Sequence, residues 1–240
     1  MYYRKGEGTA VRKLIQFVFI RTLPVLFAFL FLGIAFGLLL QRAGYNAVWA
    51  LCISAFVYAG SMQFVLIPFL GTEASIFTII FMTLSINCRH IFYGLSFIEK
   101  FKSMGKAYPY MIFSLTDETY SLLCSTKVPD DLDEKKVFFG IALFTHIYWI
   151  SGSVTGALLG ELITFDTTGI EFAMTALFVV IFIEQWLSAR NHVPAAAGLL
   201  CGVVSLVIFG PGSFILPALI AVVVIILASK NTIQAKEGAL

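Results

Sequence analysis

Eight apolar segments, at about 23–40, 46–70, 74–98, 108–125, 136–160, 170–187, 193–209 and 213–229, fill nearly all of this 240-residue chain. A bilayer core about 30 Å thick offers no water to a backbone N–H or C=O. The chain must then satisfy those groups within each segment, which a helix of about 20 residues does at 1.5 Å per residue. Hydrophobic residues make up 59% of the sequence and charged residues 12%, against about 25% charged in soluble domains. The expected fold is therefore all-α, a polytopic integral membrane helical bundle. It is read as a single membrane domain over 1–240, with a basic segment at 1–22, apolar segments from 23 to 229 and a short tail at 230–240.

Basic residues set the expected orientation. Arg4, Lys5, Arg12, Lys13 and Arg21 precede the first apolar segment, and Lys230 and Lys236 follow the last, so both termini are expected in the cytoplasm. The basic start runs into a long span without a small-residue cleavage site, so no cleaved signal peptide is expected. Eight simple crossings would put Lys100, Lys102 and Lys106 outside. If 46–70 and 108–125 instead dip in and return on one side, those lysines join Lys127, Lys135 and Lys136 inside, and Arg42 stands alone outside. Both segments carry a polar interruption, Gly60-Ser61-Met62-Gln63 in one and Thr116-Asp117-Glu118-Thr119 in the other. Broken backbone at membrane depth persists only where it lines a cavity or is buried in protein. Broken or re-entrant helices and full crossings both stay open at this point.

Gly33 to Leu39 resembles Gly152 to Leu159, a faint internal echo, with Gly44 and Gly169 opening the segments that follow. It fits either a weak internal repeat or ordinary small-xxx-small packing between membrane helices. The four cysteines, Cys52, Cys88, Cys124 and Cys201, are widely spaced in apolar surroundings, so they are expected as small buried hydrophobes. No metal-ligand spacing appears and no cofactor is expected. A net charge of +2 gives no reason to expect a nucleic-acid partner.

The chemistry concentrates in four places. In the third segment Asn87, His90 and Gly94 share a helical face with Tyr93 close by, set in otherwise apolar sequence. Arg89 points elsewhere and needs a partner, for which Asp117 and Glu118 are the nearest suitable carboxylates. In the second segment Gly60 and Ser61 mark a break that exposes helix half-ends, and Gln63 offers an amide donor and acceptor to a zwitterionic or anionic ligand. In the fourth, Tyr110, Ser114, Asp117, Glu118 and Ser121 fall on one face of a continuous helix, where a desolvated carboxylate is a candidate proton carrier. His146 and Trp149 share a face of the fifth segment with Gly152 and Ser153, making it a candidate cavity wall through Trp149. Glu184, Gln185 and Arg190 read as headgroup-level residues, and His192 as a loop residue.

Taken together, Phe36-Gly37, Tyr58-Ala59-Gly60-Ser61-Met62-Gln63-Phe64, Asn87-Cys88-Arg89-His90-Ile91-Phe92-Tyr93-Gly94, Thr116-Asp117-Glu118-Thr119-Tyr120 and Trp149 with Gly152, Gly156 and Gly160 resemble the AzlC (YgaZ) family. These are the large subunits of two-component branched-chain amino-acid exporters. The resemblance covers residues 15 to 228, and the chain departs from the pattern at Ser61-Met62 and at Cys88. It implies a multi-pass permease of the bacterial cytoplasmic (inner) membrane, not an enzyme. Such a permease works with a small membrane subunit of the AzlD (YgaH) type and exports branched-chain or other aliphatic amino acids. Read from the residues, energy coupling is most simply to protons, through Asp117, Glu118 or His90. Two other readings remain beside it. One is an intramembrane hydrolase with Ser61 as nucleophile and His90 as base, although no Gly-x-Ser-x-Gly elbow or His-Glu-x-x-His set is present. The other is a substrate-binding membrane subunit of a larger transporter.

Overall fold

The computed structural model describes residues 3–71, 75–162, 192–210 and 214–228, with 172, 179, 182–183 and 186–187 between them. Most of the expected sixth segment, with Glu184, Gln185 and Arg190, lies outside the described residues, as does the 230–240 tail. So do the side chains of residues 3–10, Arg89 and Phe92. All regular elements among the described residues are helical: α1 Tyr3–Arg42, α2 Ala47–Phe56, α3 Gly60–Leu70, α4 Ile76–Lys102, α5 Tyr108–Phe113, α6 Asp117–Ser125, α7 Glu134–Leu162, α8 Val193–Phe209 and α9 Ile215–Ala228. The chain divides into two compact units, residues 1–73 with 86–167, and residues 74–85 with 168–240. The candidate site lies wholly in the first.

Among the described residues two helices are long and apolar enough to cross a membrane, Val11–Arg42 within α1 and Glu134–Leu162. A third joins them if α4, which bends between Ile76–Cys88 and Tyr93–Lys102, is one span. The basic start, expected to precede the first helix, is instead part of it. At 40 residues α1 is about 60 Å long, twice the hydrocarbon thickness.

α1 and α7 pack with their backbones almost in contact. A Cβ on Gly33 would lie 2.9 Å from Ser153 N, and one on Gly152 would lie 2.9 Å from Phe29 O. Gly37 meets Ser153 O, and Gly156 meets Ile34 O, more closely still. Lipid supplies no hydrophobic drive between helices, so such association depends on close van der Waals packing, which small residues permit. The two motifs of the internal echo are thus the two sides of one helix crossing.

Both interrupted segments are broken hairpins that return to the side they came from. α2 begins at Asn46, whose Oδ1 accepts from the Val48 and Trp49 N–H groups at 3.1 and 3.4 Å, an ordinary side-chain N-cap. It stops before Tyr58, whose φ of +41° is left-handed, a conformation a bulky side chain adopts only when its surroundings impose it. α3 then runs back until the Tyr45 hydroxyl reaches Leu70 O at 3.5 Å. α5 and α6 behave likewise from the other end of the unit. Lys100 Nζ pairs with Glu134 at 2.7 Å, Lys135 Nζ donates to Ser103 O at 2.6 Å and Lys13 meets Asp131 at 3.4 Å. Arg21 Nη2 donates to Ser125 O at 2.6 Å. The loops that flank α5–α6 are thus together, beside the basic half of α1, as the two ends of a hairpin are. Arg42 lies at the opposite end of α1.

Two expectations need correction. Tyr110 and Ser114 do not share a continuous helix with Asp117, because the backbone breaks at Ser114–Thr116, where Thr116 Oγ1 accepts from Thr119 N–H and caps α6. A helix start there follows from Thr at the N-cap and two acids in the first turn. Of the cysteines only Cys201 is buried; Cys52, Cys88 and Cys124 are exposed, where lipid solvates a weakly polar thiol as readily as an apolar core does.

The helix crossing yields a direct test. Gly37→Ala or Gly156→Ala should lower the thermal stability of detergent-purified protein by about 1–3 kcal/mol or more, since the added methyl meets backbone that cannot swing aside. Gly60→Ala, where a Cβ meets nothing within 4 Å, should cost nothing. Equal midpoints for all three variants would show that the crossing is loose.

Candidate functional site

α7 presents one buried stripe to both hairpins: Ile141, Ala142, Thr145, His146, Trp149, Gly152, Ser153 and Gly156, spaced three and four apart. Its apolar and small members seat α1, and its polar members meet the hairpin tips. The tips themselves touch, with the Tyr58 and Phe113 rings 6.1 Å apart.

The α2–α3 break is held by an amide. Gln63 is fully buried, and its Oε1 accepts from the Trp149 indole N–H at 2.9 Å and from the Ala59 N–H at 3.2 Å. Its Nε2 donates to Ser54 Oγ at 3.4 Å. Ala59 is the α3 N-cap, without a side-chain oxygen of its own to offer the helix start, so Gln63 supplies a partner for backbone the break would orphan. Around this sits an aromatic wall. Trp149 meets Phe29 edge-on at 5.3 Å and stacks near Phe36 at 6.3 Å, and Phe36 meets Phe64 at 5.7 Å. Gly60 and Ser61, the first turn of α3, are half-buried beside it.

One turn along α7, His146 joins the two hairpins. Its Nε2 lies 3.2 Å from Ser54 O of α2, and its Nδ1 lies 3.1 Å from the Tyr110 hydroxyl of α5. The carbonyl can only accept, so the proton is on Nε2 and Tyr110 donates to Nδ1. The Tyr58 ring covers the imidazole at 4.2 Å. Thr145 Oγ1, also buried, lies 3.1 Å from Thr119 Oγ1 of α6. Tyr58 Oη is buried without a hydrogen-bond partner of acceptable geometry, although the Thr145 and Thr119 hydroxyls are close and Glu118 is within electrostatic reach.

The α4 residues form a second group. The His90 and Tyr93 rings meet edge-on at 5.8 Å, and Tyr93 stacks on Tyr120 of α6 at 4.4 Å. Asn87 Oδ1 is buried without a hydrogen-bond partner. Asp117 and Glu118 open α6, half-buried, in the turn where a helix N-terminus favours negative charge. The structure therefore joins Gln63 to Trp149, and Tyr93 to His90. The Arg89 side chain lies outside the described residues, and its expected pairing with Asp117 or Glu118 with it. Residues the sequence left in the background, Ser54, Tyr58, Thr119, Thr145 and His146, turn out to carry the meeting point of the hairpins. The signal for Thr145 and His146 was the three-and-four spacing along α7, and Tyr58 and Thr119 stood at the edges of the two polar interruptions. Among the described residues no cluster of His, Cys, Asp and Glu is suited to hold a metal ion.

Replacing Gln63 by Leu should cost about 1–3 kcal/mol, because the Ala59 N–H and the Trp149 indole lose their shared acceptor in a buried setting. In a double-mutant cycle with Trp149→Phe the two losses should be less than additive, read from thermal denaturation in detergent. Strict additivity would mean the amide and indole act independently.

The AzlC protein family model matches residues 24–163, the stretch that holds α7 and both hairpins. The chain is 38% identical over 216 residues to the branched-chain amino acid transport protein AzlC of Bacillus subtilis, covering 90% of this chain and 85% of that protein. It is 39% identical over the same length to an uncharacterized membrane protein of Helicobacter pylori, covering 90% and 95%. To the inner membrane protein YgaZ of Escherichia coli it is 26% identical over 193 residues, covering 76% and 78%. No solved structure matches. With its family-specific strings placed on the hairpin tips and on α4, and with this extent of shared sequence, the chain belongs to the AzlC family.

Proposed function

We propose that this chain is a permease that exports branched-chain or other aliphatic amino acids across the bacterial inner membrane, coupled to protons and acting with a small AzlD-type membrane subunit. The observation that carries the reading is the meeting of two opposed, broken hairpins on α7, at a place where apolar and polar walls adjoin. An amino acid is a zwitterion with a greasy tail. It needs a few fixed dipoles at one end and hydrocarbon at the other. Phe29, Phe36, Phe64 and Trp149 supply the hydrocarbon. The N-terminal turns of α3 and α6, containing Gly60, Ser61, Asp117 and Glu118, supply oriented backbone N–H groups, the device by which broken transporter helices receive carboxylates. A buried polar atom without a partner costs about 1–3 kcal/mol. Two such atoms, Tyr58 Oη and Asn87 Oδ1, are suited to donate to a carboxylate and to accept from an ammonium group. His90 and Tyr93, packed against α6, complete the proposed polar lining.

The relative that bears a transport name supports this class over a hydrolase. A substrate-binding subunit of a larger transporter is distinguished by energetics. Purified chain and small subunit, reconstituted without any ATPase, should exchange labelled leucine across proteoliposomes, and Asn87→Leu and Tyr58→Phe should each lower the exchange about fivefold or more. Exchange that appears only when an ATPase is added would establish the binding-subunit reading.

Orientation is part of the same proposal. The end that gathers Lys13, Lys100 and Lys135 is cytoplasmic, because basic residues are retained on that side. In a cysteine-free background Ser103→Cys should resist a membrane-impermeant maleimide added to intact cells, whereas Ala43→Cys should react. The reverse pattern would invert the topology.

A further inference from the structure

The buried His146 lies where the two hairpins meet and is held differently at each ring nitrogen. Nε2–H is committed to Ser54 O of α2 at 3.2 Å, whereas Nδ1 accepts from the Tyr110 hydroxyl of α5 at 3.1 Å. Nδ1 is thus the one ring position that can still take a proton, and the group bonded to it is itself an exchangeable O–H. The titratable groups facing the ring are Tyr58, stacked at 4.2 Å from the α2–α3 break, and Tyr110 from α5. Glu118, at the start of α6, acts on Tyr58 through space. On α7 itself the neighbours are Thr145 and Trp149, and α1 and α3 bring Phe29, Phe36 and the neutral Gln63 to the Trp149 side.

We infer that His146 is the proton-carrying group of the exporter and that Tyr110 is its relay, an assignment that rests on the transport reading above. A proton arriving at Tyr110 Oη displaces the hydroxyl proton onto Nδ1. One proton enters, Tyr110 ends neutral, and the imidazole becomes imidazolium with Nε2–H still on Ser54 O. Nδ1–H now faces Tyr110 Oη as donor, so the α5 contact changes its sense while the α2 contact does not. For release Nδ1 gives its proton back to Tyr110 Oη while the hydroxyl proton passes to water on the opposite side once Tyr110 is open to it, so one proton leaves for each that entered and both residues end neutral. Protonation thereby alters how one hairpin is bonded to α7 and leaves the other unchanged, which is the asymmetry that coupling requires.

The test uses proteoliposomes of the chain with its small subunit, labelled leucine as probe, and membrane potential clamped at zero. In the wild-type protein an acidic lumen should drive leucine inward by about tenfold per pH unit for one-to-one exchange. In His146→Gln whatever uptake remains should no longer respond, so that the ratio with and without the gradient falls to one, and Tyr110→Phe should lower that ratio. A ratio unchanged in His146→Gln overturns the assignment. So does a ratio lost in Asp117→Asn or Glu118→Gln but kept in His146→Gln. If His146→Gln abolishes uptake altogether, Tyr110→Phe decides: a reduced ratio supports the assignment and an unchanged one overturns it. Histidine-selective nitrogen NMR on the detergent-purified protein supplies a readout independent of substrate, with the His146 signal identified by its loss in His146→Gln. The ring should pass from the Nε2–H form to the doubly protonated form as the pH is lowered, and the transition should shift in Tyr110→Phe. Failure of the wild-type protein to exchange leucine would count against the transport reading alone. A ring that stays neutral as the pH is lowered would count against the proton site.

Discussion

The close crossing of α1 and α7 is the constraint from which the rest of the first unit follows. At Gly33, Gly37, Gly152 and Gly156 a methyl group would run into the facing backbone, so the register between the two long helices is fixed by contact. One consequence is rotational. With the glycine face of α7 turned to α1, the polar residues of the same buried stripe, Thr145, His146 and Trp149, are set at the edge where the hairpins enter. Shifting the crossing by one residue would rotate that edge by about 100° and turn those groups away from both tips.

A hairpin that turns inside a membrane must account for every backbone group it exposes, and here side chains do so with little redundancy. Asn46 caps α2, Thr116 caps α6 and Gln63 receives the Ala59 N–H. Tyr58 is the costly residue, left-handed at φ +41° and buried with its hydroxyl unpaired. Strain of about 1–3 kcal/mol at a single residue persists only where the surroundings enforce it, and it clusters where proteins bind or move. Tyr58 closes the α2 side of His146 and touches Phe113 of the opposing hairpin. The cost therefore falls at the junction of the two tips.

Much of this was legible in the chain. Lipid solvation forces helices wherever apolar length allows, and polar interruptions inside such lengths mark backbone that leaves the helix, as at Gly60 and at Thr116. The lysine distribution favoured re-entry, and the ion pairs among Lys13, Lys100 and the acids of the 131–134 loop place those charges at one end. What could not be read was which side chains would meet. A lone His146 in an apolar segment looks like packing until two hairpins from opposite sides are brought against it, and those contacts span 92 and 36 residues of sequence. Gln63 looked like a ligand group because an amide near mid-membrane needs a partner; its acceptor is shared between Trp149 and Ala59. The face drawn through Tyr110, Ser114 and Asp117 assumed one helix where the Thr116 cap signature marks the start of a second.

The opposed hairpins also explain why the junction sits where it does. α2 holds ten residues, enough to descend about 15 Å, roughly half the hydrocarbon thickness. Its tip therefore ends near the middle of α7, and His146 is 12 residues from the start of that helix and 16 from its end. A hairpin a turn longer on either side would collide with its counterpart, and one a turn shorter would leave the imidazole bonded to a single partner. With the lengths the sequence gives, α2 owns the bond to Nε2 and α5 owns the bond to Nδ1. Each hairpin is therefore tied to a different nitrogen of the same imidazole, and the α1–α7 frame supports both.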